Sequence, residues 1–201
     1  MTCRCRTRRK FFGRDVNLIV YGPPGSGKST VGRLAARQLG REFIDGDARL
    51  EAHWGRAIPD YFAAGDEALF RQREAETYRT LAERDDLVLA PGGGALLDPH
   101  LRARLERSGV IVCLMASLGT LAERLERSPT VRPLLVDDLR GRLSALLRER
   151  EALYRSFALQ VDTDNRAATA VAVEAVARFS EAAGLTRFEL GPSSAIAQRQ
   201  V

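Results

Sequence analysis

Short apolar runs recur along the chain, each halted by glycine, proline or acidic residues, with longer stretches of helical spacing between them. Asn17-Leu18-Ile19-Val20-Tyr21 is the first, and a run of that length ending at Gly22-Pro23 predicts a buried parallel strand. From Lys28 to Leu39 the apolar positions Val31, Leu34, Ala35 and Leu39 trace one helical face, closed by Gly40. Glu42-Phe43-Ile44 predicts a second strand leading into Asp45-Gly46-Asp47, and residues 48–84 read as mainly helical, broken near Gly55 to Pro59 and at Gly65. Leu87-Val88-Leu89-Ala90 and Val110 to Leu114 predict the third and fourth strands, with Pro91-Gly92-Gly93-Gly94 ending the former. A helix is expected from Ser117 to Arg127, a loop between Pro129 and Pro133, and a long helix from Asp138 to Phe157. Ala158-Leu159-Gln160-Val161 reads as a fifth strand, and Arg166 to Ala183 as an alanine-rich closing helix.

Strands alternating with helices imply a three-layer α/β/α fold around a five-stranded parallel sheet. Ligands of such sheets gather at the carboxyl ends of the strands, so the turns after the first three strands should converge. Composition agrees: 45% hydrophobic and 28% charged residues are ordinary for one globular domain. No apolar run reaches the length of a membrane span, and the first residues lack the apolar stretch of a secretory signal, so a cytoplasmic protein is expected. The net charge of +5 is concentrated at one end, because residues 1–14 hold six basic groups and no acid. The basicity therefore belongs to a head that reads as solvated and disordered, and nucleic acid is not the expected partner. Residues 15–184 form the expected domain, and residues 185–201 lose periodicity and read as a loose tail. Cys3, Cys5 and Cys113 make neither a zinc site nor a disulfide framework.

Gly22-Pro23-Pro24-Gly25-Ser26-Gly27-Lys28-Ser29 carries the clearest chemistry. Glycines 22, 25 and 27 let backbone N–H groups ring a phosphate, Lys28 adds charge for the β- and γ-phosphates, and the Ser29 hydroxyl can ligate Mg²⁺. The following helix aims its positive end at the same anion, and Thr30 is expected to support the α-phosphate. ATP and Mg²⁺ are the implied co-substrate and cofactor. Asp45 and Asp47, two apart on a segment read as extended, should point the same way. Asp45 suits a metal and Asp47 a substrate hydroxyl, although such acids equally serve turns and helix caps. Gly92-Gly93-Gly94 suits either a close approach of backbone to a ligand or a tight turn. Arg71, Arg132 and Arg150 offer forks for carboxylates or phosphates, or are solvated surface groups.

Together these segments resemble shikimate kinase, a P-loop kinase of the nucleoside-monophosphate-kinase-like group. The ordered matches are the phosphate loop, Phe43-Ile44-Asp45-Gly46-Asp47, Glu51-x-x-x-Gly55-x-x-Ile58, Gly65-Asp66-Glu67-x-x-Phe70-Arg71-x-x-Glu74, the triple glycine, Thr130-Val131-Arg132-Pro133-Leu134-Leu135 and Arg150-x-x-Leu153-Tyr154. The resemblance implies ATP-dependent phosphorylation of the shikimate 3-hydroxyl by a monomer. It builds the acid site from Asp47, Arg71, Gly93 and Arg150, with Arg71 and Arg150 clamping the carboxylate. Gly25, Ser26, Gly27, Lys28, Ser29, Thr30, Arg124 and Arg132 would bind ATP, Arg124 packing on adenine and Arg132 reaching over from a mobile lid at about 128–137. Lys28, Asp47 and Arg132 are then the catalytic set, and Ser29 and Asp45 the metal ligands. Kinases for aminoshikimate or gluconate, and a ligand-sensing domain without turnover, are the competing readings. The match is partial over Asp162 to Arg166, and Ala152 stands where the family often has proline.

Overall fold

The central strands read as near-continuous apolar runs because a strand covered on both sheet faces has no solvent-facing side. The computed structural model describes residues 16–127 and 138–185. The basic head, the lid segment with Arg132 and the tail beyond Leu185 lie outside the described residues. Strands β1 (Asn17–Tyr21), β2 (Glu42–Asp45), β3 (Leu87–Ala90), β4 (Gly109–Met115) and β5 (Leu159–Asp162) form one sheet in the order β2-β3-β1-β4-β5. All four pairings are parallel. The helices among the described residues are α1 (Lys28–Leu39), α2 (Gly46–Trp54), α3 (Ile58–Ala63), α4 (Glu67–Leu81), α5 (Pro99–Ser108), α6 (Leu118–Glu126), α7 (Leu139–Arg155) and α8 (Ala168–Ala183). No helix among them is long and apolar enough to cross a membrane.

Side chains of β1 alternate between the two faces, which makes the fold three-layered. Leu18 and Val20 pack with Val31 and Ala35 of α1 and with Val171, Ala175 and Phe179 of α8. Ile19 and Tyr21 turn the other way, toward Tyr78 of α4, Leu101 and Leu105 of α5, and Tyr154 of α7. Asn17, the polar member of β1, is only 2% exposed. Its amide donates to the Arg84 carbonyl at 2.7 Å and its oxygen accepts from Leu87 N–H at 2.9 Å, so both ends are satisfied. A satellite core of Leu50, Tyr61 and Phe70 joins α2, α3 and α4.

The breaks expected in residues 48–84 occur at Gly55 and Gly65, both left-handed, with φ of 64° and 76°. One helix is absent from the periodicity reading. In α5 only Leu101 and Leu105 are buried, and the remaining positions are largely charged, so its apolar stripe is two residues wide. Its start is nevertheless written in Asp98-Pro99: the Asp98 carboxylate accepts from His100 N–H at 2.7 Å and Leu101 N–H at 3.3 Å, and Pro99 occupies the first turn. Asp98→Ala should cost about 1 kcal/mol of stability, read from urea unfolding midpoints.

Candidate active site

The loop from Gly22 to Lys28 joins β1 to α1 at the carboxyl edge of the sheet. Gly22, Gly25 and Gly27 have φ of 144°, 81° and 93°, conformations that a side chain would strain. A side chain on Gly25 would also meet the Leu121 backbone of α6 at 2.8 Å. Gly27 gives α1 no side-chain cap, so the first-turn N–H groups have no side-chain acceptor at Gly27. The Lys28 ammonium donates to the carbonyls of Gly22 at 2.9 Å and Pro23 at 3.0 Å, which keeps its charge over the loop.

In the first turn of α1, the Ser29 hydroxyl donates to Asp45 Oδ2 at 2.6 Å. Asp45 Oδ1 accepts from Ala48 N–H at 3.3 Å, so this carboxylate also caps α2. Both uses expected of such an acid coexist in one residue. The same cap overturns the expectation that Asp45 and Asp47 lie on one extended segment. The strand ends at Asp45 and α2 begins at Gly46, which puts Asp47 on the first helical turn. Asp45 consequently bonds Ser29, while Asp47 lies against Gly92, where a side chain on that glycine would collide with Asp47 Oδ1. Ser29 and Asp45 offer hard oxygen donors that fit Mg²⁺, which binds through one or two carboxylates and substrate phosphates more readily than through an all-protein cage. No cluster of three or more potential metal-ligating side chains of His, Cys, Asp or Glu occurs among the described residues.

The acid side is assembled around the triple glycine after β3. Gly92 N–H donates to the Tyr78 hydroxyl at 2.9 Å. That hydroxyl fits because residue 46 is glycine, and any β-carbon there would run into it. The Gly92 carbonyl accepts from Ala95 N–H and the Gly94 carbonyl from Leu97 N–H, each at 3.1 Å. The Gly93 carbonyl accepts from Tyr21 Oη at 2.8 Å and Arg150 Nη1 at 2.9 Å. Only the Gly93 and Gly94 N–H groups of this turn are left without an acceptor among the described residues.

Two guanidinium groups flank that turn. Arg71, half-buried on α4, donates from Nη1 to Glu74 Oε2 at 2.8 Å, and its Nη2 lies 3.4 Å from Glu67 Oε1. Gly94 brings its backbone against Arg71: a β-carbon there would sit 2.9 Å from Nη1. Arg150 Nε is buried without a partner, an orphan donor of the kind that a bound anion satisfies. Beside it, burial pushes the Tyr154 hydroxyl up to about 12, with the Arg150 charge restraining the rise. Glu74 is 4% exposed; burial raises its pKa, the Arg71 hydrogen bond pulls it back, and the Asp47 charge pushes it up again.

A family model for shikimate kinase matches residues 24–180. A shikimate kinase of Francisella tularensis subsp. novicida is 44% identical over 168 residues, 83% of this chain and 95% of the relative. A shikimate kinase of Acinetobacter baumannii, solved in complex with shikimate, superposes with a TM-score of 0.74 at 38% identity, covering 79% of this chain and 89% of that one. The enzyme of Bacteroides thetaiotaomicron gives a TM-score of 0.74 at 28% identity, over 83% and 97% of the two chains.

The chain belongs to the shikimate kinase family. Within this member of the family, Asp47, Arg71, Gly93 and Arg150 lie around the turn after β3, and Lys28, Ser29 and Asp45 gather at the loop after β1. Arg124 donates to Thr163 Oγ1 at 2.9 Å and to the Thr163 carbonyl at 2.7 Å, which fixes it between α6 and the end of β5. Arg166 is tied to the Asp162 carbonyl at 2.9 Å and to Glu174 of α8 at 2.6 Å. Thr30 is exposed at the start of α1, and Arg132 lies outside the described residues. Three site residues were not singled out from sequence: Glu74, Tyr78 and Tyr21. Glu74 and Tyr78 follow Arg71 at helical spacing on α4, a signal that was available. Tyr21 carried no local signal beyond its alternation with Val20.

Glu74 binds its proton more readily folded than unfolded. Its contribution to stability is therefore present in acid, below the ordinary glutamate range, and is lost as pH rises through the elevated pKa. Glu74→Gln should flatten the fall in Tm from mild acid to neutrality; equal slopes in both proteins would exclude a burial-dominated shift.

Proposed function

We propose that this chain transfers the γ-phosphoryl group of ATP to the 3-hydroxyl of shikimate, giving shikimate 3-phosphate and ADP on the route to aromatic amino acids. One observation carries the reading: Arg71 and Arg150 flank a glycine turn with two unspent N–H groups, and Asp47 lies against the same turn. Arginine forks bind a carboxylate with two parallel hydrogen bonds, and the buried Arg150 Nε is a donor in need of such an acceptor. Gly93 and Gly94 N–H groups suit the oxygens of the ring hydroxyls, and Asp47 accepts from the attacking hydroxyl.

The hydroxyl oxygen bonds the γ-phosphorus as the bond to the β–γ bridging oxygen breaks, and the hydroxyl proton passes to Asp47 or solvent. Little covalent chemistry is asked of the protein, so positioning and charge dominate. Lys28 exchanges the loop carbonyls for the β- and γ-phosphates, and the loop N–H groups take the remaining phosphate oxygens. Ser29 and Asp45 would hold Mg²⁺, which when bound neutralises charge on the phosphates. Arg132 is assigned, on its sequence position, to cover the transferring group, and Arg124 to back the adenine. Every assigned group comes from a single chain, which supports a monomer; the cytoplasm is the assigned compartment.

Coupled measurement of ADP release with Mg²⁺ and a panel of shikimate, aminoshikimate and gluconate tests the reading. Shikimate should be turned over with the highest kcat/KM; preference for gluconate, or ADP release with none of them, would overturn it. Lys28→Ala and Arg132→Ala should each lower kcat by about a hundredfold or more, as loss of a transition-state donor does. Arg71→Ala should raise the KM for shikimate roughly ten- to a hundredfold with a smaller change in kcat, the loss expected of a charge-assisted hydrogen bond. An unchanged shikimate KM in that variant would remove Arg71 from the carboxylate site.

A further inference from the structure

We infer that Tyr21 is a positioning residue for the acceptor, holding the triple-glycine turn in register with the phosphate loop through the Gly93 carbonyl. The inference rests on the shikimate reading for its substrate and on this chain's own geometry for its mechanism. Tyr21 is the last residue of β1 and is joined directly to Gly22, the first glycine of the phosphate loop. It is completely buried, yet its hydroxyl crosses to the turn after β3, 72 residues away in sequence, and donates to the Gly93 carbonyl at 2.8 Å.

A planar peptide has no freedom to turn its two ends separately. With the Gly93 carbonyl held, the N–H of Gly94, on the same peptide, is aimed the opposite way, and it is one of the two unspent donors of the turn. Glycine has no side chain to supply such restraint, so an external anchor is needed where three follow one another. Arg150 reaches the same carbonyl from α7 at 2.9 Å, so Tyr21 also sets the acceptor atom that orients this guanidinium. The Tyr21 ring is seated against Tyr154 and Phe157, at 5.8 and 5.5 Å between centroids, so helix and strand are packed where the three groups meet. Burial drives the hydroxyl far above its ordinary titration range, and it remains a donor at every working pH. Phosphate loop, glycine turn and carboxylate arginine thus share one fixed point.

Tyr21→Phe removes the hydroxyl and keeps the ring, while Arg150 still satisfies the carbonyl. The KM for shikimate should rise about three- to tenfold, the loss expected of one hydrogen bond, with the KM for ATP changed less than about twofold. Phe179→Leu, in the core on the other face of the sheet, serves as the packing control: Tm should fall while the shikimate KM stays within about twofold of the parent. Hydrogen exchange of the ligand-free protein supplies a readout free of substrate identity. In Tyr21→Phe, the amides of Gly92, Ala95 and Leu97 should lose about tenfold in protection, while those of β4 keep theirs. A Tyr21→Phe protein with parental shikimate KM, or with both KM values raised alike, overturns the positioning role, as does unchanged exchange at residues 92–97. Absence of shikimate turnover in the parent protein would instead overturn the substrate assignment, and exchange would then decide the anchor alone.

Discussion

Parallel pairing of β1 with β3 on one side and β4 on the other is the constraint from which the site follows. Parallel neighbours put every carboxyl end on one edge, so the phosphate loop, Asp45, the triple glycine and Thr163 are delivered together without any attraction between them. Burial on both faces then makes that edge rigid, because β1 has no exposed residue on which to slip. A slip of one residue would exchange Ile19 and Tyr21 with Leu18 and Val20 and set each against the wrong helices. Tyr21 would lose its hydroxyl contact in the same movement. Core packing and site geometry are therefore the same constraint at this strand.

The polar groups at that edge are prepaired in a way that binding can exploit. Arg71 has Glu74, Arg150 has the Gly93 carbonyl, Ser29 has Asp45 and Lys28 has its own loop. Each partner holds its side chain, and the two arginines keep donors in hand, since a guanidinium carries five N–H groups. Glu74 illustrates the cost. A nearly enclosed carboxylate beside Asp47 is unfavourable by itself, and the Arg71 hydrogen bond offsets part of that penalty. Donors fixed before the ligand arrives need no reorganisation when charge develops, which is where most electrostatic catalysis originates.

Legibility in the sequence followed the range of the interaction that fixed each feature. The five strands, the phosphate loop and the left-handed breaks at Gly55 and Gly65 depend on neighbours a few residues apart, and each was readable. Helix α5 escapes the periodicity because its stripe of Leu101 and Leu105 is diluted by charge, although Asp98-Pro99 marks its start. Asp47 stands beside the turn after β3, but on a first helical turn and not on the extended segment that the spacing predicts. Whether a segment after Ile44 stays extended depends on the Asp45 cap, and on Tyr78 needing the space beside Gly46. The residues themselves offer Arg71, Gly93 and Arg150 only with the bland readings still open; their assigned roles come from the resemblance to a family. Tyr21 lay beyond both routes, since its partner is set by strand order.

On the proposed reading, selectivity for an acid follows from what this edge leaves unpaired. The orphan Arg150 Nε and the two glycine N–H groups are all donors, and the buried Glu74 carboxylate is already committed to Arg71. A neutral polyol would satisfy the glycine amides but leave a buried guanidinium donor unmet. That is the kind of defect a site rejects strongly, because the cost falls on the protein's own buried group as well as on a lost contact. An acid bound by the arginines alone would lack Asp47 and the turn, and would sit with no hydroxyl aimed at the phosphate. On the proposed reading, the arginines select the charge and the glycine turn selects the orientation. The two selections act on one molecule only while the turn and the arginine keep their relative positions, which the doubly bonded Gly93 carbonyl ensures.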